Sequence, residues 1–233
     1  MPEPTPLSVA FLLYPDVTQL DFTGPAQFLS RLGNAEVDYV WKNRDPVATD
    51  AGFSILPTAT LDEVRQADIL CVPGGIACVE VMEDDSLLDW VREVGESARW
   101  VTSVCTGSLI LGAAGLLRGY RAACHWAWRD HLALFGAEPV AQRVVFDRNR
   151  VTGSGVTAGI DFALALTAAV RGETHARVVQ LALEYDPAPP FDSGTPERAG
   201  EALVGFYRER MERLAPGRDA RVEAAARRHG FIA

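Results

Sequence analysis

The chain has 233 residues, enough for one large domain or two small ones, and carries 31 Asp and Glu against 22 Lys and Arg, a formal net charge of −9. That balance argues against a binder that tracks nucleic-acid phosphates, which needs a basic footprint. An apolar fraction of 48% fits a globular chain able to bury its own core, and no apolar run reaches the roughly 18–20 residues of a membrane span.

The opening stretch MPEPTPLSVAFLLYP has no Lys or Arg before its short apolar run and does not read as a leader. Residues 8–13 (SVAFLL) read as a fully buried strand. A helix is expected over 22–31, opened by Gly24-Pro25. Residues 36–41 form an alternating strand, 53–56 a short strand or hairpin arm, and 67–72 a buried strand stopped by Pro73-Gly74-Gly75. Leu87, Leu88, Val91 and Val94 set a helical spacing over 86–98. Residues 100–104 are a strand that runs into Cys105, and 106–117 a helix that closes near Gly119. Segments 120–124 and 144–146 would extend the sheet, with an apolar helix over 156–170 packed against it. Strands alternating with helices through short connections imply a parallel sheet covered on both faces.

The rest of the chain is different. Residues 174–185 read as a helix and 186–196 as a Pro-rich irregular segment. Residues 197–228 alternate Arg and Glu along one long helical pattern, either a solvated packing helix or one that covers a dimer seam. The expected organisation is an α/β domain over 1–185, with 186–233 packed on it.

Cys105 is the most informative position for chemistry. A cysteine at a sharp strand-to-helix turn is held out of the sheet, near the unpaired N–H groups of the helix N-terminus. Those groups favour thiolate over thiol. The alternative is a buried, inert cysteine. Asp16 and Asp21 follow the first strand, at the carboxyl edge where doubly wound sheets place their sites. Asp21 lies between Leu20 and Phe22, and partial desolvation there would raise its pKa and suit it to proton transfer. It could equally cap the helix that follows. Gly74 and Gly75 could turn backbone N–H groups toward a ligand as an oxyanion hole, or simply make a tight turn.

His125 reads as a structural or pocket-lining group rather than a base. His131, His175 and His229 show no metal-ligand pattern. Cys71 and Cys124 read as core and Cys78 as exposed. Four cysteines without a CxxC pair fit a cytoplasmic protein with reduced thiols. Gly153-Ser154-Gly155 lacks the Lys and the spacing of a phosphate cradle.

Several stretches together resemble the ThiJ/PfpI superfamily. They are QLDFTGP from Gln19, Pro73-Gly74-Gly75, VTSVCTGSLILGAAGLL from Val101, His125-Trp126, GVTAGIDFAL from Gly155 and EYDPAPPF from Glu184. Parts of the cysteine run are shared with sensor domains of AraC-type regulators. The EYDPAPPF segment narrows the resemblance toward the bacterial isonitrile hydratases. The resemblance implies a flavodoxin-like three-layer α/β/α sandwich with a mostly parallel sheet and a C-terminal helical extension. It also implies a homodimer, no cofactor and no metal, and an isonitrile substrate hydrated to a formamide through a thioimidate. Cys105 would be the nucleophile, Asp21 the acid/base, and Thr106 a site residue bonding near the thiol or carboxylate. Such a substrate would need an apolar pocket, for which Ile76 and Trp126 are candidates, beside the Gly74-Gly75 turn. Two positions depart from the pattern: Thr106 stands where the proteases of the superfamily have His, and Cys124 where the hydratases have Thr. Other readings are a glyoxalase or deglycase using the same cysteine, and a ligand-sensing module. A sensor of the AraC type needs a DNA reader after it, and the mixed-charge residues after Pro196 do not supply one.

Overall fold

The computed structural model describes residues 4–233. Residues 1–3, which begin both the stretch read against a leader and the 1–185 segment, lie outside them. The chain opens with β1 (Leu7–Leu12), α1 (Gln19–Leu29), β2 (Ala35–Trp41), β3 (Val47–Ala48), β4 (Ser54–Ile55), β5 (Ala59–Thr60) and β6 (Ile69–Val72). Then come α2 (Cys78–Met82), α3 (Asp85–Ser97), β7 (Trp100–Val104), α4 (Gly107–Ala113) and β8 (Arg121–Ala122). A 3₁₀ turn (Arg129–Phe135) precedes β9 (Glu138–Pro139), β10 (Val144–Asp147) and β11 (Arg150–Gly153). The chain ends in α5 (Ala158–Arg171), α6 (Glu173–Ala182), α7 (Pro196–Ala199), α8 (Glu201–Leu214) and α9 (Arg218–Arg228).

The main sheet has the order β10-β11-β7-β6-β1-β2-β5. Every neighbouring pair in it is parallel except β10 with β11. A parallel strand is covered on both faces, so its side chains must be apolar in both directions. β6 meets that demand with four buried residues in a row, and β1 with five of six. Helices α1, α5 and α6 pack together, while α2, α3 and α4 pack together with α9 joined to α2. This is the parallel sheet covered on both faces expected from the strand–helix alternation, and the flavodoxin-like sandwich implied by the resemblance. Among the described residues no helix is long and apolar enough to cross a membrane.

Several boundaries differ from expectation. The first helix starts at Gln19, which places Asp21 in its first turn and Gly24-Pro25 in its interior. Thr18 is extended at the N-cap position, and Asp50 Oδ1 accepts from the Gln19 N–H at 3.1 Å, so the earlier start is satisfied without Pro25. Helix α4 is shorter than 106–117, because Gly115 and Gly119 take the left-handed conformation and turn the chain. Residues 120–124 do not join the main sheet. β8 pairs with β9 in a separate two-stranded sheet. The place next to β7 belongs instead to β11, a four-residue strand opened by a charged Arg150, which its sequence hides. Arg150 is accommodated by donating Nε–H to the Leu116 carbonyl at 2.8 Å and by lying over the Tyr120 ring. The long helix over 197–228 is three helices, broken at Gly200 and Gly217, both at positive φ.

The approach of α4 to β6 is the closest fit near the strand ends. A Cβ on Gly107 would lie 2.1 Å from the Val72 carbonyl oxygen and 2.8 Å from that of Pro73. Both are backbone atoms that cannot step aside. Gly107→Ala is therefore expected to cost about 1–3 kcal/mol of stability by overpacking. Urea unfolding checks this, and an unshifted midpoint would show that α4 can slide along the sheet.

Candidate active site

Strand β7 ends at Val104 and α4 begins at Gly107, leaving two residues to reverse direction. Cys105 makes the turn at φ 58°, a conformation rare for a side chain with a Cβ. Its own N–H is held by the Gly153 carbonyl of β11 at 3.1 Å. The strained elbow is thus locked from the neighbouring strand, and it projects the sulfur from the carboxyl end of the sheet. Cys105 is buried, with 6% of its surface exposed.

Asp21 arrives from the first turn of α1 and is also buried, at 1% exposure. Its Oδ2 accepts from the Gly74 N–H at 2.8 Å, and its Oδ1 has no hydrogen-bond partner. Carboxylate and cysteine meet over Gly74. A Cβ there would lie 2.8 Å from both Asp21 Oδ2 and Cys105 Cβ, and 2.5 Å from the Thr106 nitrogen. Only glycine lets these three groups converge. Burial raises the Asp21 pKa to about 7, against the Gly74 amide and the Cys105 thiol, which favour the carboxylate; Asp50 raises it further. Asp21 is therefore the partly desolvated acid expected from its apolar flanks, and it is not a helix cap.

The cysteine departs from expectation. Burial pushes its thiol well above the usual range and the Asp21 charge adds to this, while the Thr106 amide pulls the other way. One helix-terminal amide does not offset the loss of water and an adjacent carboxylate. This direction favours a proton on sulfur over a free thiolate.

The turn after β6 also serves differently from an oxyanion hole. The Gly74 N–H is engaged by Asp21, and the Gly75 N–H donates to Thr106 Oγ1 at 2.9 Å. Thr106 Oγ1 donates in turn to the Gly75 carbonyl at 2.8 Å. The Thr106 hydroxyl thus clamps the glycine turn and bonds neither the thiol nor the carboxylate at standard geometry. Tyr14 braces the same turn, donating to the Pro73 carbonyl at 3.0 Å.

A cavity of about 790 Å³ opens above the sulfur. Cys105, Thr106, Gly75, Ile76 and His125 line it, as do Tyr14, Asp16 and Trp128. Apolar side chains from Val81, Leu87, Met211 and Leu214 extend it. Asp21 and Gly74 lie beneath it. Trp126 does not line it; this residue belongs to a second cavity of about 180 Å³ behind Tyr207. Burial, and secondarily Arg218, lowers the His125 pKa to about 4, so its imidazole is neutral. Cys78 is buried rather than exposed, and its thiol is pushed up to about 12 by burial. Cys71 and Cys124 lie in the core as expected.

Tyr14, Trp128, Tyr207 and Met211 escaped sequence reasoning. Tyr14 had a positional signal, since it follows β1 at the carboxyl edge. Tyr207 had only its aromatic character within an Arg/Glu-rich helix.

Comparison with known proteins adds four findings. A model of the DJ-1/PfpI family matches residues 7–169. Over 221 residues the chain is 50% identical to an isonitrile hydratase of Pseudomonas putida, covering 95% of this chain and 96% of that protein. A crystal structure of a ThiJ/PfpI family protein from Pseudomonas syringae matches with a TM-score of 0.91 at 42% identity, over 97% of this chain and 92% of that one. The HTH-type transcriptional regulator CdhR of Pseudomonas aeruginosa is 28% identical over 70% of this chain, which spans 50% of the regulator.

A buried acid with a raised pKa has a stability signature. Below about pH 4 Asp21 is protonated in both folded and unfolded chains and costs nothing. Between its ordinary value of 3.8 and about 7 the unfolded chain ionises first, so stability falls as pH rises. From pH 4 to pH 8 the wild type is expected to lose ~1–4 kcal/mol that Asp21→Asn does not lose. Denaturant unfolding of both proteins at the two pH values checks this; parallel behaviour would mean that Asp21 ionises as it does in water.

Proposed function

The chain belongs to the DJ-1/PfpI family, and from that premise we infer that it is an isonitrile hydratase, joining R–N≡C with water to give R–NH–CHO. The observation that carries this reading is the buried Asp21–Cys105 pair beneath a largely apolar cavity. An isonitrile is neutral and apolar around its reactive carbon, and that terminal carbon accepts both a nucleophile and a proton. The pair supports delivery of both to one atom.

Near pH 7 and above, the pair holds a single proton. As sulfur adds to the terminal carbon, the S–H bond breaks and Asp21 passes that proton to the same carbon. The product is a thioimidate, Cys105–S–CH=N–R. Asp21, again a carboxylate, draws a proton from water as the hydroxyl adds to the thioimidate carbon, and the proton goes to nitrogen. In the tetrahedral adduct the C=O bond forms and the C–S bond breaks. The hydroxyl proton returns through Asp21 to sulfur, and the formamide leaves. Every product atom comes from the isonitrile and water, and no electrons are gained or lost. The neutral His125 and the apolar walls suit an uncharged substrate. Thr106 serves as a positioning residue through Gly75, and Ile76 as a contact for the substituent.

Cys105→Ala is expected to abolish formamide production from an alkyl isonitrile, followed by loss of the isonitrile infrared band. Turnover retained in that variant sinks the covalent route. Asp21→Asn is expected to lower kcat by about 10²–10⁴-fold, the usual worth of a positioned proton carrier.

The one-proton state is formed as Asp21 loses its proton near pH 7. The kcat/KM is therefore expected to rise with pH through an apparent pKa of about 7 that belongs to the pair. A profile flat from about pH 5 to about pH 8 would contradict the assignment of the free carboxylate as the proton carrier.

A further inference from the structure

Helix α8 contributes Tyr207, Arg210, Met211 and Leu214 to the wall of the main cavity. The spacing i, i+3, i+4, i+7 is one face of a helix, so a single stripe covers the site. This helix lies beyond residues 7–169, the part matched by the family model. Met211 anchors the stripe at 5% exposure. The following helix is tied to the body of the protein by Arg221 to Glu80 and Glu83 and by Arg228 to Asp85. The frame holding the stripe therefore does not depend on any one side chain facing the cavity.

Tyr207 has a special place in that stripe, because it lines both the 790 Å³ cavity and the 180 Å³ cavity behind it. Its ring lies 5.9 Å from His125 and 5.0 Å from Trp126 between centroids, so it stands between a residue of one cavity and a residue of the other. The side pocket has mixed walls, apolar from Trp126, Pro196, Ala199, Leu203 and Val204 and polar from Ser193 and Thr195.

We propose that Tyr207 is the specificity-determining residue of the site, its ring being the partition that separates the side pocket from the main cavity and thereby limits the size of the isonitrile substituent accepted beside Cys105. The proposal rests on the hydratase reading above. Removing the ring would join the two cavities and open the side pocket to a branched substituent. The hydroxyl is not required for this role.

The test compares methyl isonitrile, cyclohexyl isonitrile and 1,1,3,3-tetramethylbutyl isonitrile on wild type, Tyr207→Phe, Tyr207→Leu and Tyr207→Ala. The readout is the ratio of kcat/KM for the branched substrate to that for the methyl one. Tyr207→Ala is expected to raise this ratio about tenfold or more, the scale on which apolar pockets discriminate by size. Tyr207→Leu is expected to raise it less, and it carries the test if the alanine variant folds poorly. Tyr207→Phe is expected to keep the wild-type ranking. A ratio unchanged in both the leucine and the alanine variants overturns the partition, as does a phenylalanine variant that shifts the ratio as far as alanine does. If wild type turns over none of the three isonitriles, the hydratase reading itself has failed, and that outcome is distinct from an active wild type with a fixed ranking.

Discussion

The structure depends on the placing of one carboxyl group, out of water, beside one thiol. Asp21 and Cys105 come from distant parts of the chain, the first turn of α1 and the elbow after β7. They are brought together over Gly74, where even a methyl group would not fit. Burial makes ionisation costly for both, so each resists losing its proton to water. In the proposed mechanism the pair trades one proton internally. That property suits a reaction which must put a nucleophile and a proton on the same carbon. An exposed thiolate would be a good nucleophile, but it would bring no proton with it.

The surrounding residues maintain this arrangement rather than take part in it. The Gly74 amide holds one carboxylate oxygen and leaves the other unbonded. Thr106 locks the glycine turn through two bonds to Gly75, and Tyr14 locks it through Pro73. Strand β11 fixes the elbow from the far side through the Gly153 carbonyl. Several backbone contacts thus share the strain of a left-handed cysteine, which is how such a conformation persists. Cavity walls then come from a different part of the chain, the stripe of α8. The Asp21–Cys105 pair and this stripe of the cavity wall are built by separate segments.

Much of this was legible in the sequence, for physical reasons. Buried parallel strands must be apolar on both faces, so β1 and β6 announce themselves. The strand-to-helix passage at Cys105 and the apolar flanks of Asp21 also carry local signals of their roles. β11 was missed because its Arg150 is paid for by distant partners, the Leu116 carbonyl and the Tyr120 ring, which no local window contains. The thiol's protonation state was misjudged for a similar reason. A helix N-terminus is visible in sequence, whereas the depth of burial and the neighbouring charge that outweigh it are set by tertiary structure. Trp126 is expected at the substrate as an apolar pocket wall. Which side of Tyr207 it faces depends on where a helix some 80 residues later comes to rest.

The most direct measurement of the shared proton is infrared difference spectroscopy of the resting protein, titrated from about pH 5 to about pH 9, with Cys105→Ser and Asp21→Asn used to assign the bands. The expected result is loss of the protonated carboxyl band with a midpoint near 7 while the Cys105 S–H stretch persists above it. Loss of the S–H stretch at or below neutral pH, with the carboxyl band unchanged, would mean a resting thiolate beside an un-ionised acid and would contradict the account.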